Sequence, residues 1–244
     1  MMSIKTISNT TRNAVGTIRR FPQCILFSLV LFLIFFACVP IQVVAETYVS
    51  ILRRSNYPES QQEAIRNEIE EAIKEGIPEE LLIPRLEEGI AKRASGAKVL
   101  NVLEGDIQRL KEARRILMAV GVGNELLKDR GAWARTANLL AKGISQEEIT
   151  QIAAFSRNRW KDYRDATYLF VSLVQWRLPR EKALKLTTSV LQSSIRGKDF
   201  AGVVDLLIDG RRFHISPEEL AGRIIEKLPL VKTFEELEEK VLYR

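Results

Sequence analysis

Four times this sequence sets a hydroxyl residue three places ahead of a glutamate: Ser60 with Glu63, Ser145 with Glu148, Ser216 with Glu219, and Thr233 with Glu236. This is the spacing of a capping box. The hydroxyl accepts from a free amide in the first helical turn, and the glutamate reaches back to the cap amide. Pro217 follows Ser216, where a missing N–H leaves no helical bond unmade. Gly76, Gly143, Gly197 and Gly210 stand near the matching ends, where a left-handed residue closes the last turn.

Between these signals, apolar residues recur at helical spacing. Ile65, Ile69, Ala72 and Ile73 form one stripe; Leu103, Ile107, Leu110, Ala113 and Leu117 form a second; Phe234, Leu237 and Val241 form a third. Such a stripe lies on one helical face and must pack on something. Strand-like alternation is almost absent. The pattern predicts an all-α chain with helices near 60–75, 78–93, 97–119, 130–142, 146–157, 160–176, 179–195, 199–209, 217–228 and 233–243. Pro84 should kink or split the second of these, because it removes a ladder hydrogen bond. Residues 121–129, with Gly121, Gly123 and Asn124, are the expected linker between an N-terminal helical region, 46–120, and a C-terminal one, 130–244.

A faint repeat runs through the caps. Gly76-Ile77-Pro78-Glu79-Glu80-Leu81, Gly143-Ile144-Ser145-Gln146-Glu147-Glu148-Ile149 and Ile215-Ser216-Pro217-Glu218-Glu219-Leu220 share a grammar, with Leu178-Pro179-Arg180-Glu181 a degenerate fourth copy. The spacing suits a helical hairpin of about 34 residues, the size of known helix-pair units. Two architectures stay open: an array of antiparallel hairpins resembling a short α-solenoid, and an irregular bundle that reuses good cap grammar.

Residues 24–39 carry no charge, and Arg19 and Arg20 stand just before them. Pro40 breaks the run, and Val43-Val44-Ala45 follows. Basic start, apolar centre, helix breaker and small residue are the parts of a secretory signal, with Val43 and Ala45 at the two positions a signal peptidase restricts. Residues 24–44 are also long enough to stay as a membrane anchor. A loose lipobox at Phe35-Phe36-Ala37-Cys38 would instead acylate Cys38. Residues 1–45 are therefore expected to be a signal peptide or anchor. The expected location of the remainder is the periplasm or cell envelope, outside the cytoplasm. A buried helix of a non-exported protein is the fourth reading.

The charge balance is informative only once that segment is set aside. Lys+Arg is 37 and Asp+Glu is 31 overall, and Lys5, Arg12, Arg19 and Arg20 are the charged residues before Glu46. From Glu46 onward the two signs nearly cancel, so no nucleic-acid partner is expected. Both cysteines, Cys24 and Cys38, lie in the apolar run. The remainder has no thiol for catalysis, disulfides or metal binding. His214 is the single histidine, placed just ahead of a cap, where a structural role is expected.

Little else offers chemistry. The acidic pairs Glu70-Glu71, Glu79-Glu80, Glu87-Glu88, Glu147-Glu148 and Glu218-Glu219 put adjacent residues on different helical faces. Three of them sit in a first turn, where the helix dipole favours negative charge. Gly121-Val122-Gly123 lacks the Lys and Ser/Thr of a phosphate loop. One stretch stands out: Arg157, Arg159, Trp160, Lys161, Tyr163 and Arg164, four of the six being arginine or lysine beyond the two aromatics at 160 and 163. Aromatic faces and guanidinium groups can stack on sugars or fork onto anions. Trp160, Tyr163 and Phe170 also share one helical stripe, which favours inward packing of the aromatics.

The sequence therefore points to an exported all-α protein, non-enzymatic and without a cofactor or metal, acting as an envelope scaffold or adaptor for a protein or glycan partner. Membrane contact would run through residues 24–44 if they are uncleaved. A membrane-anchored structural protein and an all-α cell-wall hydrolase are the alternatives; the hydrolase would need one acid held in an apolar pocket.

Overall fold

A computed structural model describes residues 47–121, 125–197 and 199–243. Residues 24–44, Cys38, Val43 and Ala45, on which the signal, anchor and lipobox expectations fall, lie outside the described residues. Glu46–Arg244 form one compact unit.

The described residues hold twelve α-helices, three short 3-10 turns and no strand: α1 (Tyr48–Arg54), α2 (Glu59–Lys74), α3 (Ile83–Ala91), α4 (Gly96–Ala119), α5 (Glu125–Lys128), α6 (Arg130–Ala141), α7 (Gln146–Phe155), α8 (Trp160–Gln175), α9 (Arg180–Gln192), α10 (Asp199–Gly210), α11 (Pro217–Lys227) and α12 (Phe234–Leu242). Every expected helix is present. The helix expected over 78–93 is split: a 3-10 turn at Glu79–Leu81 precedes α3, and Pro84 sits in the first turn of α3, where it has no ladder bond to break. Two helices escape the sequence pattern, α1 and α5, each two turns or less and so too short for an apolar stripe to repeat.

The caps are realised unevenly. Ser145 and Glu148 form the reciprocal box, with the Glu148 amide 3.3 Å from Ser145 Oγ and the Ser145 amide 2.9 Å from Glu148 Oε2. Ser216 and Thr233 accept from the Glu219 and Glu236 amides, but the glutamates turn elsewhere. Glu219 takes Arg223, and Glu236 takes the amide of Lys232, one residue before the cap. Ser60 is not a cap. Helix α2 begins one residue before it, because Pro58 already fixes the entry and its carbonyl accepts from Gln61 and Gln62.

Helix ends carry the clearest repetition. Five times a left-handed residue is followed by an aliphatic residue whose amide bonds back five places: Ile77 to Ala72, Ala94 to Gly89, Ile144 to Leu139, Leu178 to Leu173, and Ile215 to Gly210. The left-handed residues are Gly76, Arg93, Gly143, Arg177 and His214, whose own amides bond back three places. This is the Schellman arrangement. Four of the five are the segments that share a grammar in the sequence. Gly210 is not one of the stops: it is helical, and its role is close packing, since a Cβ there would come within 2.2 Å of Leu220 Cδ2.

The helices pack around one continuous apolar cluster. The stripe on α4 is wholly buried, along a helix about 36 Å long at 1.5 Å per residue. Helix α4 packs on α2, α3, α6 and α7. Beyond it the pattern is regular. Helix α6 meets α8, α8 meets α10, and α10 meets α12; between them α7 meets α9, and α9 meets α11.

Candidate functional site

The six residues singled out in the sequence lie at the start of α8 and separate by burial. Arg157 and Asn158 make the turn from α7, both with positive φ (53° and 59°). Ser156 is buried just before them, its hydroxyl donating to the Ala153 carbonyl at 2.6 Å. Arg159 is exposed and pairs with Asp162, a nearly buried carboxylate one turn along. Trp160 is half-buried against Gly131 of α6, where a Cβ would fall 2.9 Å from the indole Cζ2.

Tyr163 belongs to the core. It is fully buried, and its phenol lies 2.7 Å from the Thr136 hydroxyl. Thr136 already donates to the Ala132 carbonyl at 2.8 Å, so the phenol is the donor in the shared bond. Burial pushes the Tyr163 phenol up to about 12, with the Arg135 charge opposing. A side chain so placed cannot touch a partner. The stripe that linked it with Phe170 is a packing stripe.

Lys161 and Arg164 face outward into a cleft of about 610 Å³ between α8 and α10. The α8 wall is built at helical spacing from Lys161, Arg164, Asp165, Tyr168 and Ser172. Leu169, Phe200 and Val204 supply the apolar part, with Asp205 on the α10 side. Arg164 bonds Asp165 at 2.9 Å, and among the described residues no carboxylate pairs with Lys161. Gly197 closes the end nearest Lys161.

Two residues here are ones that the basic-aromatic stretch does not include. Tyr168 is 56% exposed, an unusual setting for a large aromatic side chain. Beneath it, the Arg135 guanidinium carbon lies 3.8 Å from the ring centroid. The sequence signal for Tyr168 was its position four residues after Arg164 and seven after Lys161, on the same face. For Arg135 there was none, because α6 is brought to α8 only by tertiary packing.

Among the described residues, no group of three His, Cys, Asp or Glu residues is arranged to hold a metal ion, and no helix is long and apolar enough to cross a membrane. His214 occupies the left-handed position of a turn, exposed. Glu68 is the carboxyl among the described residues whose pKa is raised, by partial burial and then by Glu104 and Glu71. It lines a depression with those two acids, Gln108 and Lys111, a polar setting rather than an apolar pocket.

No known protein family, curated protein or solved structure is detectably similar to this chain.

Proposed function

We propose that this chain is an exported envelope scaffold or adaptor that holds a protein or glycan partner in the cleft between α8 and α10. The observation that carries the reading is the composition of that cleft. It combines two outward cations, Lys161 and Arg164, an exposed Tyr168 and an apolar floor, in a space of about 610 Å³. Such a mixture suits recognition: the apolar part contributes burial, and the few polar groups set orientation.

The architecture we assign to the body is a two-layer array of antiparallel helical hairpins. Alternate contacts support it, with α6, α8, α10 and α12 forming one layer and α7, α9 and α11 the other. The recurring Schellman turn between layers supports it too. Stacked hairpins present a long face on which neighbouring helices make successive grooves. In this reading residues 1–45 deliver the body across the membrane or hold it there, as their apolar run suggests.

A photo-crosslinking amino acid at Ala201, beside the cleft, tests the reading in cells. The expected result is a discrete adduct at position 201 that is lost with Lys161→Glu and Arg164→Glu, and no such adduct from position Lys74 on α2. Equal labelling at both positions, or an adduct indifferent to the charge reversals, overturns it. Intact mass of the native chain decides the fate of residues 1–45 separately.

A further inference from the structure

Arg135 is a buried charge that the fold leaves unanswered. The side chain projects from α6 and the residue is 9% exposed. Its Nε donates to Thr167 Oγ1 at 2.9 Å, and Thr167 in turn donates to the Arg164 carbonyl at 2.8 Å. Its Nη2 is sealed from solvent and has no acceptor. No carboxylate among the described residues pairs with it. Tyrosine faces compensate a guanidinium only in part, and a buried cation ordinarily brings a carboxylate with it.

The position of this charge is as telling as its isolation. The Tyr168 ring that covers it is also part of the cleft wall. Lys161 and Arg164 stand on the same wall. An exposed tyrosine changes rotamer freely, on the picosecond to nanosecond scale. The guanidinium lies directly under this ring, 3.8 Å from its centroid, so a turn of the ring would uncover it.

We propose that Arg135 and the Tyr168 end of the cleft form a subsite for a carboxylate of the partner, carried by an acidic side chain of a peptide. The carboxylate enters beside Tyr168, turns the ring off the guanidinium and accepts the unused Nη2 donor. A planar fork and a planar carboxylate match in shape, which a lysine could not reproduce. Leu169, Phe200 and Val204 then receive an aliphatic neighbour of the acid, a better match for a peptide than for sugar hydroxyls. Asp205 on the α10 side repels a second acid there, so the acidic end of the peptide points toward α6. This assignment rests on the cleft reading above and narrows it to one ligand chemistry.

The test uses the full chain in mild detergent, with nitrogen-15 in its arginines, and three probes: acetyl-Glu-Leu-Leu-amide, its Gln counterpart and glucuronic acid. The Glu peptide is expected to shift the Arg135 Nε resonance saturably and to bind about tenfold more tightly than the Gln peptide. In Arg135→Gln that preference disappears. In Tyr168→Ala it persists, since the ring is cover and not contact. The wild-type resonance decides even if a variant fails to fold. Equal affinity for Glu and Gln peptides overturns the proposal. So does binding that moves the Arg164 resonance and leaves Arg135 still, an outcome that spares the cleft reading. Saturation by glucuronic acid alone overturns the peptide assignment in favour of a glycan. Binding by none of the probes overturns the subsite.

Discussion

Arg180, the first residue of α9, forks onto Glu148, the glutamate that closes the capping box of α7, with Nε 2.8 Å from Oε1 and Nη2 2.5 Å from Oε2. The same Nη2 also donates to the Gly143 carbonyl at 3.1 Å. One side chain thus joins a helix start, a helix stop and the next helix but one. The Arg180 bond holds the Glu148 carboxyl below its usual range, with burial opposing and the Ser145 amide helping. A depressed carboxylate stabilises the fold above its unfolded pKa, about 4.3, and that contribution fades as pH falls through the lower folded value. Arg180→Ala should therefore lose about 1 kcal/mol at pH 7. Denaturant titrations of wild type and variant are expected to converge only as pH falls below the lowered folded value of Glu148.

The Thr136–Tyr163 bond makes an unequal pair of variants. Tyr163→Phe removes a donor, and Thr136 keeps its bond to Ala132, so the loss should be about 1 kcal/mol. Thr136→Val leaves a buried phenol with no acceptor and should lose about 1–3 kcal/mol. Chemical denaturation at pH 7 compares them.

Alkaline titration adds a second reading of the same residue. Its folded pKa, about 12, lies above the ordinary tyrosine value of about 10. For a raised folded value, the stabilisation is whole below the unfolded pKa and is lost as pH rises through the folded one. Ultraviolet titration should show Tyr163 ionising last, together with loss of helical circular dichroism, while Tyr163→Phe lacks that final step.

Two helical glycines should respond oppositely to alanine. Gly222 is exposed on α11 with nothing within 4 Å of a new Cβ, so alanine should stabilise by about 0.5–1 kcal/mol through helix propensity. Gly210 meets the buried Leu220 at 2.2 Å, so alanine there should destabilise by about 1–3 kcal/mol. Thermal midpoints measured side by side decide both.

His214 holds φ at 59° on the surface, in a turn whose bonds come from the backbone. Glycine relieves the left-handed strain, and His214→Gly should gain about 0.5–1 kcal/mol, where His214→Val should lose at least as much. Equal stability of the three proteins would show that the turn tolerates side chains there.

The helices were legible in the sequence because their signals are local. Ser145 with Glu148 bonds across three residues, and the α4 stripe needs only helical spacing to reveal itself. Arg177 and His214 were not legible as helix stops, because only the five-place bonds of Leu178 and Ile215 make a left-handed arginine or histidine worthwhile. The site divides in the same way. Lys161 and Arg164 could be read from composition. The stripe that Tyr163 shares with Phe170 already favoured inward packing; what the sequence could not show is that Thr136, twenty-seven residues away, takes its hydroxyl. Arg135 lacks any mark in its own segment; its isolation arises from what α8 does and does not offer it.

The alternating contacts from α6 to α12 have a kinetic consequence. Each helix there packs chiefly on helices one or two places along the chain. Contacts so near in sequence need little loop closure, so ordering can spread from pair to pair without waiting for distant segments to meet. Helix α12 rests on α10 and α11 alone among these, where α4 is held on several sides, and hydrogen exchange should be faster in α12 than in α4, as the outermost tile of a row loosens before the middle one.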